Sequence, residues 1–395
     1  MATSHAYDFT RVFDILSYQR EKYPQHEALL SFRDGQWVGL PIETIQKKAD
    51  NVSAWLHHMS MSKGDRIAIV PKMGSPEWMI LDFGCQQVGV IVVPIHPTSS
   101  PSEVEYILNE TGARICVCAD GDLYAKVNTS KTAARQLEHV FHLQDGLAGF
   151  LPPLSETFST NVDLDQLKRS VTPDDILAIM YTSGTSGTPK GAVLTHGNVV
   201  SNIKSVLTLL PLQPGHRVLS FLPFSHIFER TSCLSYMAFG VSVHFSHSLE
   251  RLREDFNSVQ PFFCTCVPRT LEKMYDYLQE QKEEKHFFKR KLINWAMNTG
   301  ARYKTGRNGF VYAVNLFFAR LLVLNAWRGA LGGEIKYMAV GAAALRPEIG
   351  MLFSAAGIKA FSGYGMTEAS PFISTNRYLP GLNKPGTVGI PVPGV

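Results

Sequence analysis

The segment from Tyr181 to Gly191, YTSGTSGTPKG, holds the residues best suited to bind an anion. Gly184 and Gly187 let the backbone turn tightly enough for its N–H groups to point at an anion, and Lys190 adds a full positive charge. Five residues within seven positions carry hydroxyl groups, and they are Thr182, Ser183, Thr185, Ser186 and Thr188. This composition indicates a loop that holds a polyphosphate.

The loop differs from the P-loop of ATPases, which needs Gly immediately before Lys and a helix directly after it. Here Pro189 precedes Lys190, and the next residues, GAVLTH, have the pattern of a strand. A P-loop ATPase is therefore the weakest interpretation. A flexible Ser/Gly linker is the structural alternative, but it does not account for a loop set between two apolar strands and closed by Pro-Lys-Gly.

Two further segments, together with this loop, form a set of three sequence motifs. PFSHIFER spans Pro223–Arg230, and FSGYGMTEAS spans Phe361–Ser370. With the loop, in this order and spacing, they resemble the adenylate-forming superfamily of acyl-CoA synthetases, peptide-synthetase adenylation domains and luciferases. The stretches LEKMYDYL, KLINWAMNTGARYK and ALGGEIKYMAVGAAAL resemble the long-chain fatty acyl-CoA synthetase branch in particular. The resemblance covers essentially the whole chain.

The resemblance implies a two-step reaction. A fatty-acid carboxylate attacks the α-phosphorus of ATP to give acyl-AMP and pyrophosphate, and the thiol of CoA then takes the acyl group. ATP, Mg²⁺ and CoA are the implied cofactors and co-substrates. Such a step needs charge neutralisation around the phosphates more than covalent help. The implied nucleotide-binding residues are Thr182, Ser183, Gly184, Thr185, Ser186, Gly187, Thr188, Lys190, Gly341, Ala342, Ala343, Tyr364, Gly365, Met366 and Thr367.

Individual roles follow from the same resemblance. Tyr364 would lie against the adenine, the turn at residues 341–343 would follow the other side of the purine, and Thr367 would donate to the α-phosphate. Glu368 is the implied Mg²⁺ ligand, because a hard cation takes oxygen ligands and usually only one or two carboxylates. The implied catalytic residues are Thr185, His226 and Glu368.

His226 has two interpretations that the sequence leaves open. By resemblance it lies near the reacting carboxylate, whereas a histidine in an apolar stretch is equally well a hydrogen-bonded core residue. Its neighbours Glu229 and Arg230 are expected to pair with each other. The small residues from Gly341 to Ala344 leave space for a long acyl chain.

Regular elements must position these groups. Apolar segments such as RIAIVP, VIVVPIHP and ARICVCAD alternate with segments of helical periodicity, and a second alternation begins at Asp175. Uniformly apolar strands with helices between them predict parallel sheets covered on both faces. The cysteine pairs 116/118 and 264/266 lie in two such strands and are expected to pack into a core, since zinc ligands prefer wider spacing.

The expected fold class is α/β, the large N-terminal domain of the acyl-adenylate-forming fold. It would comprise two βαβ-type parallel-sheet subdomains, 1–170 and 171–335, the second with a long helical segment at 269–330. Strands and the nucleotide-binding segment at 336–395 would complete it as a smaller β subdomain. By resemblance, a smaller C-terminal domain with an adenylating Lys is absent, so the expectation is an incomplete chain that is poorly active alone.

Two segments, one basic and one apolar, have the composition of possible membrane-contact sites. Residues 281–307 contain eight basic and two acidic residues, a net +6, which is typical of a solvated helix face or a patch for anionic headgroups. The stretch Phe310–Trp327 is nearly long enough to span a bilayer, but Asn315, Arg320 and Asn325 interrupt it. We expect a helix buried in protein, with peripheral membrane contact as the alternative.

Length and composition limit the number of domains, the kinds of partner and the cellular setting of the protein. A chain of 395 residues predicts two or three domains, and a net charge of +4 gives no sign of a nucleic-acid partner. Six cysteines without a recognisable secretory signal favour a reducing cytoplasmic setting, with contact to the inner face of a membrane as an option.

Fatty acid, ATP and CoA are the expected partners, and the oligomeric state is open. The alternatives are a fatty acyl-AMP ligase that serves a carrier protein and a non-catalytic nucleotide- or lipid-binding module.

Overall fold

The computed structural model describes residues 7–144, 149–159, 161–182, 188–283, 286–303, 309–379 and 381–395. The predicted loop residues Ser183, Gly184, Thr185, Ser186 and Gly187 lie outside these ranges. The helices are α1 Asp14–Lys22, α2 Ile42–His58, α3 Pro76–Gln87, α4 Pro101–Thr111, α5 Gly121–Ser130, α6 Leu164–Ser170, α7 His196–Leu207, α8 Ile227–Phe239, α9 Leu252–Val259, α10 Pro268–Glu283, α11 Phe287–Ala301, α12 Phe310–Ala319, α13 Asn325–Ala330 and α14 Pro347–Ala355.

The strands form two sheets. The strands are β1 Leu29–Arg33, β2 Gln36–Leu40, β3 Arg66–Val70, β4 Ile91–Pro94, β5 Ile115–Cys118, β6 His139–His142, β7 Ile176–Thr182, β8 Lys190–Thr195, β9 Arg217–Ser220, β10 Ser242–Phe245, β11 Phe263–Cys266, β12 Tyr337–Val340, β13 Lys359–Gly365, β14 Phe372–Thr375 and β15 Ile390–Pro391. One sheet has six strands in the order β6-β5-β3-β4-β7-β8, and the other has nine in the order β15-β14-β13-β12-β11-β9-β10-β1-β2.

Both sheets are parallel over most of their width, with antiparallel strands at their edges. In the smaller sheet, only β8 runs antiparallel, to β7. In the larger sheet, β2 at one edge and β14 and β15 at the other are antiparallel. The predicted class, mixed α/β with two sheets dominated by parallel pairs, is confirmed. The predicted strand GAVLTH after the phosphate loop is β8.

Local capping signals place the helices between these strands. Ser75 caps α3 with its side chain, and Pro76 occupies the first turn. Ser100 and Glu103 form a capping box at the start of α4, and Gly112 ends that helix in the left-handed conformation with φ 60°. These signals are readable in the sequence, and they account for the start of α3 and the end of α4.

One continuous apolar core joins the two sheets. It contains strand residues of both, such as Ile67 and Val218, and α3 packs against β4 of one sheet and β1 of the other. Helices α3 and α8 are buried over nearly their whole lengths because other elements cover them on every side, and Asp82, Glu229 and Arg230 are buried with them. The four cysteines of the two predicted strands are buried and free, in β5 and β11.

Sheet membership crosses the predicted boundary at residue 170. Strands β7 and β8 follow that boundary in sequence but complete the first sheet, whereas β1 and β2 come from the N-terminal region and extend the second. The three-part domain division stays a prediction. The β1–β2 hairpin was missed, although Asp34-Gly35 between two apolar runs is a recognised hairpin signal.

The prediction that the apolar stretch from Phe310 is buried is wrong. Within the described residues, Phe310–Ala330 is long and apolar enough to cross a membrane, but only 28% of its most apolar window is buried. The helix is continuous from α12 through a π-helical turn, Arg320–Leu324, into α13. Periodicity did not distinguish a buried from an exposed helix because this one is apolar on both faces.

Candidate active site

A cavity of about 1330 Å³ lies where the parallel strands of both sheets end. Its wall includes His96 just after β4, Leu222 just after β9, Val267 just after β11 and Gly341 just after β12. Ligands of open α/β sheets bind in this position because the carboxyl ends of neighbouring strands leave a crevice there. The cavity exceeds the roughly 300–1,000 Å³ of an ordinary small-molecule pocket, so it has room for more than one substrate group.

The predicted nucleotide segments converge on this wall. Thr182 at the end of β7 and His226 line the cavity together with two segments that lie far apart in sequence. The first segment contributes Gly341 and Ala342, and the second contributes Tyr364, Gly365, Met366 and Thr367. The fold therefore brings eight of the predicted residues to one surface, although the roles assigned to them stay predictions.

Four predicted residues within the described ranges are not part of the cavity wall: Thr188, Lys190, Ala343 and Glu368. Lys190 is exposed and pairs in register with Thr182 across the β7–β8 hairpin, so it lies beside a residue of the cavity wall. Glu368 is exposed in a single 3-10 turn, Thr367–Ala369, directly beside a wall residue. These two charges stand at the rim.

The turn after β12 has an uncommon backbone. Ala342 has φ 68°, in the left-handed region that non-glycine residues rarely occupy. A Cβ added at Gly341 would lie 2.9 Å from the ring of Phe228, so this glycine lets that ring pack directly against the backbone. Gly341 and Ala342 of this segment line the cavity.

The Tyr364–Thr367 segment is held by backbone contacts and by one buried amide. A Cβ at Gly365 would lie 2.1 Å from the carbonyl oxygen of Pro371, so no side chain fits there. Asn202 of α7 donates from Nδ2 to the carbonyl of Phe372 at 2.8 Å and accepts from its N–H at 3.0 Å. Because Asn202 is buried and uses both ends of its amide, it fixes this segment against α7.

His226 faces the cavity and is not a core residue. It stands immediately before α8, and its ring centroid lies 5.1 Å from that of His96. Burial among protein atoms lowers the pKa of His226, and the neighbouring His96 lowers it further. Burial and, less strongly, Lys126 lower the pKa of His96. Both rings line the cavity, and their lowered pKa values favour the neutral imidazole, which can accept or donate a hydrogen bond.

Glu229 and Arg230 do not pair with each other, so that prediction is wrong. Successive helix residues point in different directions, about 100° apart. Arg230 forms a two-point ion pair with Asp82 of α3, with distances of 2.8 Å from Nε to Oδ2 and 2.5 Å from Nη2 to Oδ1. Glu229 instead accepts from Ser220 at 2.5 Å and from Thr265 at 2.8 Å.

Burial raises the pKa of Glu229 to about 7, against the lowering effect of hydrogen bonds from Ser220, Thr265 and Cys233. Glu229 and Thr265 line the cavity, as does Tyr236, whose hydroxyl donates to Thr265. A polar network therefore interrupts an otherwise apolar part of the wall. The remaining wall on this side comes from α9, α10, α13 and α14, and its apolar residues include Phe256, Met274, Trp327, Leu331 and Phe353.

Sequence reasoning missed His96 and Asn202. His96 had a usable signal, since it directly follows the apolar run VIVVPI and the carboxyl ends of such strands carry functional groups in this architecture. Asn202 had none, because its partner residues lie 170 positions away. Only the packing of α7 against the later segment reveals it.

The fold and the cavity define an α/β protein whose candidate site lies at the strand ends. The chain belongs to the family described as AMP-binding enzyme, whose profile matches residues 16–395. It is 30% identical to the peroxisomal long chain acyl-CoA synthetase 7 of Arabidopsis thaliana, over 97% of this chain and 55% of that protein. It is 29% identical to the long-chain-fatty-acid–CoA ligase FadD15 of Mycobacterium bovis, over 91% of this chain and 61% of that protein.

Several solved structures have the same fold as this chain. The N-terminal domain of FACL13 from Mycobacterium tuberculosis superposes with a TM-score of 0.72 at 19% identity, covering 98% of this chain and 83% of that one. The long-chain-fatty-acid-CoA ligase FadD1 of Archaeoglobus fulgidus gives a TM-score of 0.70 at 21% identity, covering 97% and 69%. The chain spans between one half and two thirds of the length of the curated relatives named above.

Proposed function

We propose that this chain binds ATP and a long-chain fatty acid and serves their conversion to acyl-AMP and then acyl-CoA, as an ATP-dependent, AMP-forming long-chain fatty acid–CoA ligase. The observation that carries the proposal is the continuity of the cavity. A single cavity is lined by the segments predicted to bind nucleotide, by His226 and by apolar residues of α9, α10, α13 and α14. The names of the relatives, which specify long-chain acyl groups and CoA, support the same substrates.

The proposed roles follow the geometry. ATP would place its adenine between Tyr364 and the 341–342 turn, and its β- and γ-phosphates at the rim, where Lys190 stands. The fatty-acid carboxylate would then lie near His226, whose neutral ring can donate to it without a net charge to desolvate. The acyl chain would extend toward the apolar wall, where burial of each methylene is favourable by about 0.8 kcal/mol.

Mg²⁺ fits the donor set at the rim. In the described part of the chain, no three His, Cys, Asp or Glu residues converge into a metal site. Mg²⁺ needs no such cluster, because it is commonly held by one or two carboxylates together with substrate phosphates. Glu368 would supply that carboxylate beside the phosphates. When bound, the ion would neutralise phosphate charge.

The test separates phosphate binding from acyl binding. Titration calorimetry of the 395-residue chain would use ATP and, separately, a palmitoyl-AMP analogue in which a sulfamoyl group replaces the phosphate. Because Lys190 is assigned to the β- and γ-phosphates, Lys190→Ala should weaken ATP binding about 10- to 100-fold, as expected for loss of a charged hydrogen bond. The same change should leave binding of the analogue, which lacks those phosphates, unaltered.

Two comparisons control this experiment. Lys47→Ala removes an exposed lysine of α2, outside the cavity wall, and should change neither affinity. Shortening the acyl group of the analogue should weaken binding by about fourfold per methylene removed until the apolar compartment is empty. Equal affinity for acetyl and palmitoyl analogues would contradict the long-chain assignment, and absence of ATP binding would contradict the nucleotide site.

We place the protein in the cytoplasm, with peripheral contact to a membrane through the basic segment 281–307. The lysines and arginines of that segment support this, since each one near an anionic surface contributes about 1 kcal/mol of attraction.

A further inference from the structure

Helix α12 and the π-helical turn after it expose an apolar surface that no part of the proposed ligase site uses. Phe310, Phe317 and Leu321 are 84%, 62% and 60% exposed. Residues three, four or seven apart share one side of a helix, so these side chains form one continuous surface. This surface, named the α12 face, consists of Phe310, Val311, Val314, Phe317, Phe318, Leu321 and Leu322.

The opposite side of the same helix belongs to a protein core. Leu316, Ala319 and Leu324 are buried against α11 and α14. The helix is thus anchored by one side, and no described part of the chain covers the other. Large contiguous apolar surfaces are rare on proteins that stay free in water, and they mark sites of protein or membrane contact.

Two of the three polar residues that interrupt this stretch donate hydrogen bonds to backbone carbonyls. Arg320 donates from Nε to the carbonyl of Ala355 at 2.6 Å, at the negative end of the α14 dipole. Asn315 donates to the carbonyl of Val311 within its own helix at 3.0 Å. The charged group of Arg320 is therefore held against α14, whereas the side chain of Asn325 is exposed.

Positive charge adjoins the α12 face on the neighbouring helix. At the start of α11, Lys289 and Lys291 are exposed beside the exposed aromatic rings of Phe287 and Phe288. The ammonium group of Lys291 lies 4.5 Å from the centre of the Phe287 ring. Helices α11 and α12 pack against each other, and the hydroxyl of Tyr312 donates to the carbonyl of Thr299 at 2.9 Å. Apolar side chains and cations are thus carried by one rigid helical pair.

We propose that the α12 face, with Lys289 and Lys291, docks on the surface of a membrane that contains anionic lipids. Aromatic and aliphatic side chains enter the boundary between headgroups and acyl chains, and the flanking lysines bind the negative headgroups. The α12 face has no charged group of its own to pair with a protein, whereas its lysine border matches an anionic surface. A second copy of the chain also carries a net positive charge. The lysine border therefore favours an anionic bilayer over a second copy as the partner.

Docking would also orient the cavity. Trp327 and Leu331, in the continuation of the same helix, line the apolar part of the cavity wall. A molecule held by the α12 face keeps that part of the cavity near the bilayer, where lipophilic substrates concentrate. The docking itself does not depend on the proposed ligase activity, so the two are tested separately.

The experiment is cosedimentation of the 395-residue chain with vesicles of phosphatidylcholine alone or mixed with phosphatidylserine. The triple variant Phe310→Ser/Phe317→Ser/Leu321→Ser removes exposed groups only and should weaken binding to mixed vesicles more than tenfold. The matched control, Leu379→Ser/Val395→Ser, removes exposed apolar groups elsewhere and should bind as the unaltered chain does. ATP affinity, measured on each preparation, shows that the variants are folded.

Further variants test the contribution of the lysines to vesicle binding and the depth to which the α12 face enters the bilayer. Lys289→Gln/Lys291→Gln should weaken binding to mixed vesicles by about fivefold per lysine and leave binding to pure phosphatidylcholine unchanged. Lys22→Gln/Lys47→Gln is its control. A tryptophan introduced by Phe317→Trp should be quenched by bromine-labelled lipids. Equal vesicle binding by the unaltered chain and the triple variant would overturn the proposal, as would a dimer in sedimentation that depends on the α12 face while vesicles bind nothing.

Discussion

The ion pair between Asp82 and Arg230 allows a sharp test of how the core is built. The pair joins α3 to α8, and the exposed fractions of the two side chains are 2% and 1%. We consider three variants: Asp82→Leu, Arg230→Met and the combination of both. Each single change leaves one charge buried without its partner, whereas the combination removes both charges.

The expected magnitudes follow from this burial. Breaking a fully buried pair by removing one partner costs about 3–5 kcal/mol, while replacing both partners with apolar groups is often neutral or stabilising. With an unfolding entropy of about 2.1 cal/mol/K per residue, a loss of 4 kcal/mol lowers Tm by about 5 °C if the 395 residues unfold together. The double variant should therefore be more stable than either single variant.

Urea and thermal unfolding followed by circular dichroism measure this cycle. A surface pair provides the comparison: Arg114 and Glu138 also bond in two places, but their side chains are 25% and 47% exposed. Glu138→Gln should cost less than about 1 kcal/mol. The reasoning would be refuted if Asp82→Leu cost no more than Glu138→Gln, or if the two single losses simply added in the double variant.

Three further predictions concern titration and the nucleotide segment. Burial, with a smaller effect of Arg230, lowers the pKa of His196 to about 4. The unfolded chain therefore binds a proton first, and this residue costs stability as pH falls from about 6.5 to about 4, by roughly 3 kcal/mol in total. Urea unfolding of His196→Gln should lack that loss, and an unchanged acid dependence would contradict it. Glu229 has the opposite sign, because its folded-state pKa is raised to about 7. Stability should fall as pH rises from about 4.5 to about 7, so Glu229→Gln should gain relative to the unaltered chain over that range, and a constant difference would exclude the effect. Gly365→Ala forces a Cβ to within 2.1 Å of a backbone oxygen and should weaken ATP binding in calorimetry, whereas Gly329→Ala, where a Cβ meets open space and φ is not positive, is the control and should leave ATP binding unchanged.

Local signals predicted much of the fold. Apolar β-branched runs became buried strands, and proline, serine and glycine marked the helix ends, because each of these effects acts within a few residues. The convergence of Thr182, Tyr364 and His226 on one cavity was predictable for a related reason: each follows or ends a strand of a parallel-dominated sheet, and strand ends share an edge.

Other features had no local cause. Arg230 finds its partner 148 residues away in sequence, and Glu229 beside it turns to another strand altogether. Which of two adjacent charges is paired, and with what, depends on the faces that α3 and α8 present to each other. Sheet membership of β7 and β8 is likewise decided by which strand edges remain free once the earlier strands have paired.

The sequence by itself determined the strands, the helix ends, the phosphate-loop composition and the family resemblance, since these reside in residue types and short spacings. Tertiary structure decided the position of His226 at the cavity, the hold of Asn202 on the nucleotide segment and the exposure of α12. Apolar periodicity shows that a helix face avoids water, but not whether protein covers it. For α12, the neighbouring helices cover one side only, and that geometry leaves the other side available to a membrane.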